Sequence, residues 1–439
     1  MSLVLVIGVA LAPLVAALII ASIREPMRLA LPLFAALVPV GHGLTLGSSP
    51  FSSLSSLAGM LLGGALAVRF LMGGRTVGRI PRDGPLWLSF LGIAVASSLW
   101  TVDRSVTLHG LAVLASLVLV YLLVALSPVD ATAVRRTENA TVLGGVGVVL
   151  YGLYQLTVLG GFPEQGPRSD PTAAGRFGND LLDPNLEAVA LTLPLVVALS
   201  RAFAVGGRLS RRSRLVHGVA ALFILLGIVM TASRTGLVAA AVATIMLAVC
   251  GAPSSRGRLI GFAAIAAAAA ALVFTYHPFG IAERTFESVT SSSGRTDIWR
   301  VGLTACSDYC AQGSGWGTFP IVYGRTQATV PEARVLVGEG GYQAHNLWLL
   351  AAVEIGILGL VVLVCALAAS ALEAWQTRAE HRGVALGALA GLVSALSFLS
   401  SMEFKFFWMV LMMVALYRNL ERSDADAVAT SALSASRAN

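Results

Sequence analysis

The chain is poor in charge. Asp, Glu, Lys and Arg make up 12% of its 439 residues, about half of the roughly 25% that a soluble protein carries. Hydrophobic residues make up 56%, and the mean hydropathy of +0.80 excludes a set of soluble domains. Lysine is nearly absent, with Lys405 the only one. The four cysteines, Cys250, Cys306, Cys310 and Cys365, form no CxxC pair, which argues against a structural zinc site. No Walker-type glycine loop and no cluster of metal-ligand residues is present, so neither nucleotide chemistry nor metal hydrolysis is indicated and no cofactor is expected. The net charge of +7 comes from arginines scattered in short loops, without the basic face that a nucleic-acid partner requires.

What is present is a series of apolar runs of about 18 to 22 residues. Each is long enough to cross a bilayer core of about 30 Å at about 1.5 Å per residue. Spans are expected at about 3–21, 27–46, 54–72, 85–101, 106–127, 140–160 and 184–204. Six more follow at about 215–233, 235–250, 258–276, 346–371, 383–400 and 404–420. The fold class is therefore all-α: a polytopic transmembrane helical bundle of about 12–13 spans, with one long extracytoplasmic loop containing short helices. Residues 1–422 are expected to form a single membrane domain and 423–439, rich in Ala, Ser and Asp, a disordered cytoplasmic tail. No basic segment precedes the apolar run at Leu3, so the first run reads as a helix and not as a cleaved signal.

Arginine placement sets the expected orientation. One set of alternating loops, from Arg24 and Arg28 to Arg378 and Arg382, with Arg418, Arg422 and Arg437, carries 20 of the 30 basic residues. That set is assigned to the cytoplasm. The two longest connections, about 161–183 and 277–345, then face outward, and function is expected there.

Several residues in or beside these loops have the chemistry of a site. Arg234, in Ser233-Arg234-Thr235-Gly236, lies in a short turn between two apolar runs. An ionisable residue at membrane depth faces a cavity or a partner, or it snorkels to the interface. Arg295 precedes Ile298, Trp299, Gly302 and Leu303 at helical spacing. It opens an amphipathic helix whose N-terminus suits an anion, or it pairs with Glu283 or Glu287. Gly313-Ser314-Gly315-Trp316-Gly317-Thr318-Phe319 offers either backbone nests for an oxyanion or an ordinary glycine-rich turn.

His345 stands where the long loop re-enters the membrane. With an unperturbed pKa of about 6.5 it suits a general base; it equally suits an interfacial hydrogen bond. Asp183 before Pro184 reads as a helix cap, with Arg176 and Glu187 on either side. Glu354 lies nine residues beyond His345, half a turn out of phase, so the two should not touch. Cys306 and Cys310, four apart in the amphipathic helix, are spaced awkwardly for a disulfide, and the pairing stays open.

In this order the motifs resemble the O-antigen ligase and polymerase family of envelope glycan enzymes. The resemblance covers roughly 175 to 418 and rests on six landmarks. They are Gly175-Arg176-Phe177 with Asp183-Pro184-Asn185, Ser233-Arg234-Thr235-Gly236, and Gly294-Arg295 with Ile298-Trp299. Gly315-Trp316-Gly317-Thr318-Phe319, Ala344-His345-Asn346 and Glu354-Ile355-Gly356-Ile357-Leu358-Gly359 complete the series. The first 170 residues add only hydropathy.

The resemblance implies a multi-pass protein of the bacterial plasma membrane with its active site on the extracytoplasmic face. Its donor would be an undecaprenyl-pyrophosphate-linked glycan and its acceptor a glycan or a lipid-linked hydroxyl. It implies His345 as the catalytic residue and Arg234 and Arg295 as the pyrophosphate ligands, with Arg176, Arg300 and Glu187 as further substrate contacts. Transfer would need neither metal nor nucleotide, and a single displacement would invert the anomeric carbon. Polymerase is placed slightly ahead of ligase. A membrane transporter or lipid-linked glycan flippase is the alternative, set against by the lack of repeat symmetry or paired broken helices. A scaffold for envelope assembly would give Arg234, Arg295 and His345 no shared purpose.

Overall fold

The computed structural model describes residues 3–41, 45, 51–74, 80–163, 175–178, 180–204, 209–252, 257, 260, 295–333 and 342–438. Over these residues the chain is all-α, about 75% helical and without a strand. The first half runs through α1 (Leu3–Arg24), α2 (Ala30–Leu37), α3 (Leu54–Leu71), α4 (Gly84–Ala96), α5 (Arg104–Ala125) and α6 (Ala131–Thr157). Next come α7 (Pro184–Ala190), α8 (Thr192–Ala202), α9 (Arg211–Met230) and α10 (Arg234–Cys250). After the next described stretch begins at 295, α11 (Arg295–Tyr309) and α12 (Phe319–Thr326) precede α13 (Leu347–Trp375), α14 (Ala379–Leu396) and α15 (Lys405–Ala438).

Helix starts follow the capping chemistry of short polar side chains. Ser53, Asp103, Asp130, Asp183, Ser210, Ser233 and Asn346 each accept a backbone N–H of the first turn, which satisfies donors that a helix leaves open. Asp183 performs the expected role before Pro184, accepting from Asn185 N at 2.8 Å and Leu186 N at 3.3 Å.

Among the described residues, six helices are long and apolar enough to cross a membrane: α3, α5, α6, the α7–α8 pair, α9 and α13. Shorter apolar helices occupy Val15–Arg24, Gly84–Leu99 and Arg234–Cys250. The run over 27–46 yields only the eight residues of α2. α14 and α15 are shortened as apolar segments by charge, Glu380 and Arg382 in the first and Arg418, Glu421 and Arg422 in the second. The span expected at 258–276 lies outside the described residues. α15 continues to Ala438, through the stretch whose composition predicts a disordered tail.

Two kinds of packing hold the bundle. Trp87 and Phe90 of α4, Tyr121 of α5, and Phe407 and Trp408 of α15 interlock at centroid distances of 5.1–6.1 Å. α10 and α14 approach through small residues. A Cβ added at Gly387 would lie 2.8 Å from the Ala243 carbonyl, and one at Gly391 would lie 2.9 Å from that of Ala239. This is the close backbone contact that glycine permits between membrane helices. Gly383 faces Gly251, so the two helices run antiparallel and the end of α14 lies level with the start of α10.

Buried ion pairs gather at the arginine-rich end of the bundle. Arg201 pairs with Glu138, which also accepts from Tyr417 at 2.8 Å. Arg418 and Arg422 pair with Glu373 at 3.0 and 3.2 Å. Asp83 accepts from Tyr121 and Ser370, both at 2.6 Å. Each of these three carboxylates thus has at least one oxygen partnered, the condition under which burial is tolerated.

Candidate functional site

The sequence landmarks fold into two hydrogen-bonded clusters. The first joins the loop at Arg176 to the starts of α7 and α10. Arg176 Nε donates to the Thr231 carbonyl at 3.0 Å and its Nη2 to Asn185 Oδ1 at 3.2 Å. The same Asn185 oxygen accepts from Ser233 Oγ at 2.9 Å. Ser233 in turn caps α10, accepting from Gly236 N at 3.1 Å. Three separate motifs are therefore held by one asparagine. A Cβ at Gly236 would lie 2.1 Å from the Ala188 Cβ, so only glycine lets α10 sit this close to α7.

Arg234 is exposed at the first position of α10. Glu187 is fully buried behind the loop, packed where a Cβ at Gly178 would meet it at 2.7 Å. Arg176 donates both to the turn before α10 and to Asn185 of α7, and Glu187 packs against the Gly178 turn.

The second cluster joins α11, the 313–319 loop and α13. Trp299 Nε1 donates to the Ala344 carbonyl at 3.0 Å. The helix that Arg295 opens therefore grips the residue beside His345. His345 is half-buried and adopts φ +46°, immediately before the cap residue Asn346. Ala232 holds the equivalent place before the cap of α10, with φ +50°. Left-handed backbone is uncommon for residues other than glycine and tends to occur at functional positions. Arg300 is exposed on α11 and pairs with Asp297 at 3.5 Å. Glu283 and Glu287, the alternative partners for Arg295, lie outside the described residues.

Of the two readings of the glycine-rich loop, the open oxyanion nest is not the one found. Every N–H from 313 to 319 is already used. Ser314 and Gly315 donate to the Val353 and Glu354 carbonyls, both at 2.9 Å. Gly317 and Phe319 donate to the two carboxylate oxygens of Glu354 at 2.8 and 2.9 Å. Trp316 donates to Ser97 Oγ at 3.1 Å, while Gly313 and Thr318 close turns on Tyr309 and Gly315. The nest holds the protein's own carboxylate. α13 is broken at Gly356 (φ 76°, ψ 177°), where Ile357 N donates to the Cys310 carbonyl at 2.8 Å. A broken helix is thus present where none was expected. Cys306 and Cys310 are disulfide-bonded at the end of α11.

The N-terminal region contributes more than hydropathy. Trp100 Nε1 donates to the Gln312 and Gly313 carbonyls, both at 3.2 Å, and Val102 N to the Ser314 carbonyl at 2.9 Å. The turn between α4 and α5 is therefore a wall of the 313–319 loop.

α14 connects the two clusters. Its glycine face lies against α10, and at its end Ser397 accepts from Trp348 Nε1 at 3.2 Å. Phe398 lies beside Trp299 at 6.3 Å between ring centroids. Arg234, Arg295 and His345 thus start helices, or directly precede one, at the same end of the bundle, opposite the buried ion pairs.

The fold and these clusters define a polytopic α-helical membrane protein whose polar landmarks gather at one end. Residues 219–364 match the family model described as O-Antigen ligase. That match supports membership of the O-antigen ligase family. It spans α9 to the first part of α13 and so includes Arg234, Arg295, Arg300 and His345. No curated protein matches the chain.

Proposed function

We propose that the chain transfers a glycan from undecaprenyl pyrophosphate to an acceptor hydroxyl at the outer face of the bacterial plasma membrane, acting as a polymerase ahead of a ligase. The observation that supports it most is the bond between Trp299 and the Ala344 carbonyl, which couples the helix of Arg295 to the turn of His345. In this proposal residues 1–422 form one membrane domain, with the loops 161–183 and 277–345 facing outward.

The reaction is a single displacement. The acceptor hydroxyl oxygen bonds to the anomeric carbon and its proton passes to the His345 imidazole. The bond from that carbon to the phosphate oxygen breaks, and its electron pair leaves on the pyrophosphate. Inversion follows. Arg234 and Arg295 hold the negative charge that grows on the leaving group, an interaction strongest in the transition state. Arg176 fixes the turn that presents Arg234, Glu187 backs that turn, and Arg300 with Asp297 lines the approach. The donor bond supplies the energy, so neither nucleotide nor metal takes part.

Product analysis tests the proposal. Purified protein given a fluorescent lipid-linked oligosaccharide is expected to release polyprenyl pyrophosphate and to build a lengthening series still attached to the lipid. Transfer in one step to a different acceptor would favour the ligase. Glycan flux through liposomes without any new glycosidic bond would overturn transfer and favour a transporter.

A further inference from the structure

A cavity of about 570 Å³ lies between α2, α3, α5 and α15, under the 313–319 loop. Its volume is that of a ligand site, about 300–1,000 Å³. Its wall changes with depth. At the end shared with the candidate site it is polar, with His109, Gln343, Glu403 and Lys405. Gln343 stands two residues before His345. Deeper in, the wall is apolar, with Leu114, Leu117, Val120 and Met412. From His109 to Val120, α5 covers about 16 Å at about 1.5 Å per residue, half of a hydrocarbon core about 30 Å thick.

The cavity opens sideways between α3 and α5. α3 lines it with Gly59, Gly63 and Gly64, and a Cβ at Gly64 would meet nothing within 4 Å. Met60 and Leu119, which flank the opening, are 48% and 57% exposed. At the polar end stands Lys405, the chain's only lysine, with its Nζ 3.5 Å from Ser53 Oγ. None of Arg176, Arg234, Arg295 and Arg300 lines this space. It is separate from the arginines assigned to the leaving pyrophosphate.

We infer that this cavity receives the polyprenyl chain of the lipid-linked acceptor, with Lys405 at its phosphate and Gln343 guiding its glycan toward His345. The inference rests on the glycan-transfer proposal above. A reaction between two lipid-linked molecules needs two places for their chains. An apolar shaft that is half a membrane deep, with Lys405 at its polar end beside the segment that carries His345, meets the second need. The polar residues at its mouth suit a sugar-bearing head group, whose hydroxyls both donate and accept.

The test uses the full chain in nanodiscs. The acceptor is an undecaprenyl-linked oligosaccharide with a photoreactive chain and a phosphonate in place of its pyrophosphate, so that it cannot act as donor. The expected result is cross-linking to residues 54–71 and 104–125, falling about tenfold in Gly64→Trp and in Leu119→Trp. Both replacements project into open space or lipid, and the elution profile checks that each variant folds. With a donor blocked at its own hydroxyl, KM for the acceptor is expected to rise about tenfold with kcat held. Unchanged labelling in both variants, labelling confined to other helices, or a rise in KM for the donor instead would overturn the inference. Equal labelling by phosphatidylglycerol with the same photoreactive group would also overturn it, because the space would then hold bulk lipid. Labelling of α3 and α5 by a wild-type protein that transfers no glycan would support the chain site and count against the transfer proposal.

Discussion

Trp299 and Ala344 are joined by an indole-to-carbonyl hydrogen bond of 3.0 Å across 45 residues of sequence. It fixes the left-handed turn at His345 from the side of the helix that Arg295 opens. Replacing Trp299 by Phe keeps a ring against Phe398 and removes the donor. A net hydrogen bond contributes about 1 kcal/mol to stability, so Trp299→Phe is expected to lower stability by about that much and to slow transfer by up to about fivefold. Rates and melting temperatures of the purified variant check this.

Glu354 carries a stability prediction. Its carboxylate accepts from Gly317 N and Phe319 N inside the protein. Glu354→Ala leaves the buried Phe319 N–H and the part-buried Gly317 N–H unsatisfied, at about 1–3 kcal/mol for the buried donor and less for the other. Glu354→Gln keeps one acceptor oxygen and is expected to cost less. A melting temperature falling in the order wild type, Gln, Ala is the expected result.

Two glycines should respond in opposite ways. Gly236→Ala puts a methyl 2.1 Å from the Ala188 Cβ, which forces α10 away from α7 and disturbs the Asn185 hub. Gly92→Ala meets nothing within 4 Å and gains up to about 1 kcal/mol of helix propensity. The first is expected to lose activity and stability, the second neither. Paired activity and unfolding measurements decide.

The Arg28–Asp130 pair sets a pH dependence at the arginine-rich end. The hydrogen bond from Arg28 holds the Asp130 carboxyl below its usual 3.8. A depressed carboxyl contributes stability that is present above its unfolded pKa and lost as pH falls through its folded one. Asp130→Asn is expected to flatten the acid limb of the stability profile below about pH 4. The change should be small, because the pair is largely exposed.

Thiol accounting tests the disulfide and the compartment together. Cys306 and Cys310 are bonded, while Cys250 and Cys365 are free. Alkylation without reductant is expected to label Cys250 and Cys365 only, and reduction to add the other two. A bond that persists in cells places α11 in an oxidising compartment, as the proposed outward orientation requires.

Much of this was legible in the sequence. The apolar runs gave the all-α class, because twenty apolar residues have few alternatives in a bilayer. Asp183 before Pro184 was readable as a cap from residue chemistry alone. The Asn185 hub was not readable, since nothing local links residues 176, 185 and 233. Glu354 was placed half a turn from His345, yet its grip on the 313–319 loop depends on α13 folding back on α11, a long-range contact. The break at Gly356 had a signal, a glycine in an apolar run, but that signal is common to many unbroken membrane helices. The contribution of Ser97, Trp100 and Val102 had no motif at all, because it uses backbone and single side chains from a turn.

In the proposed reaction His345 takes the acceptor proton, and the pyrophosphate donor alone drives the transfer. The most direct measurement is transfer from a fluorescent undecaprenyl-pyrophosphate oligosaccharide by purified protein, without nucleotide or metal, beside folded and membrane-inserted His345→Ala. Transfer by the wild type and a loss of at least about 100-fold in the variant are expected, the scale of general-base catalysis. Transfer at the native rate by His345→Ala would contradict it.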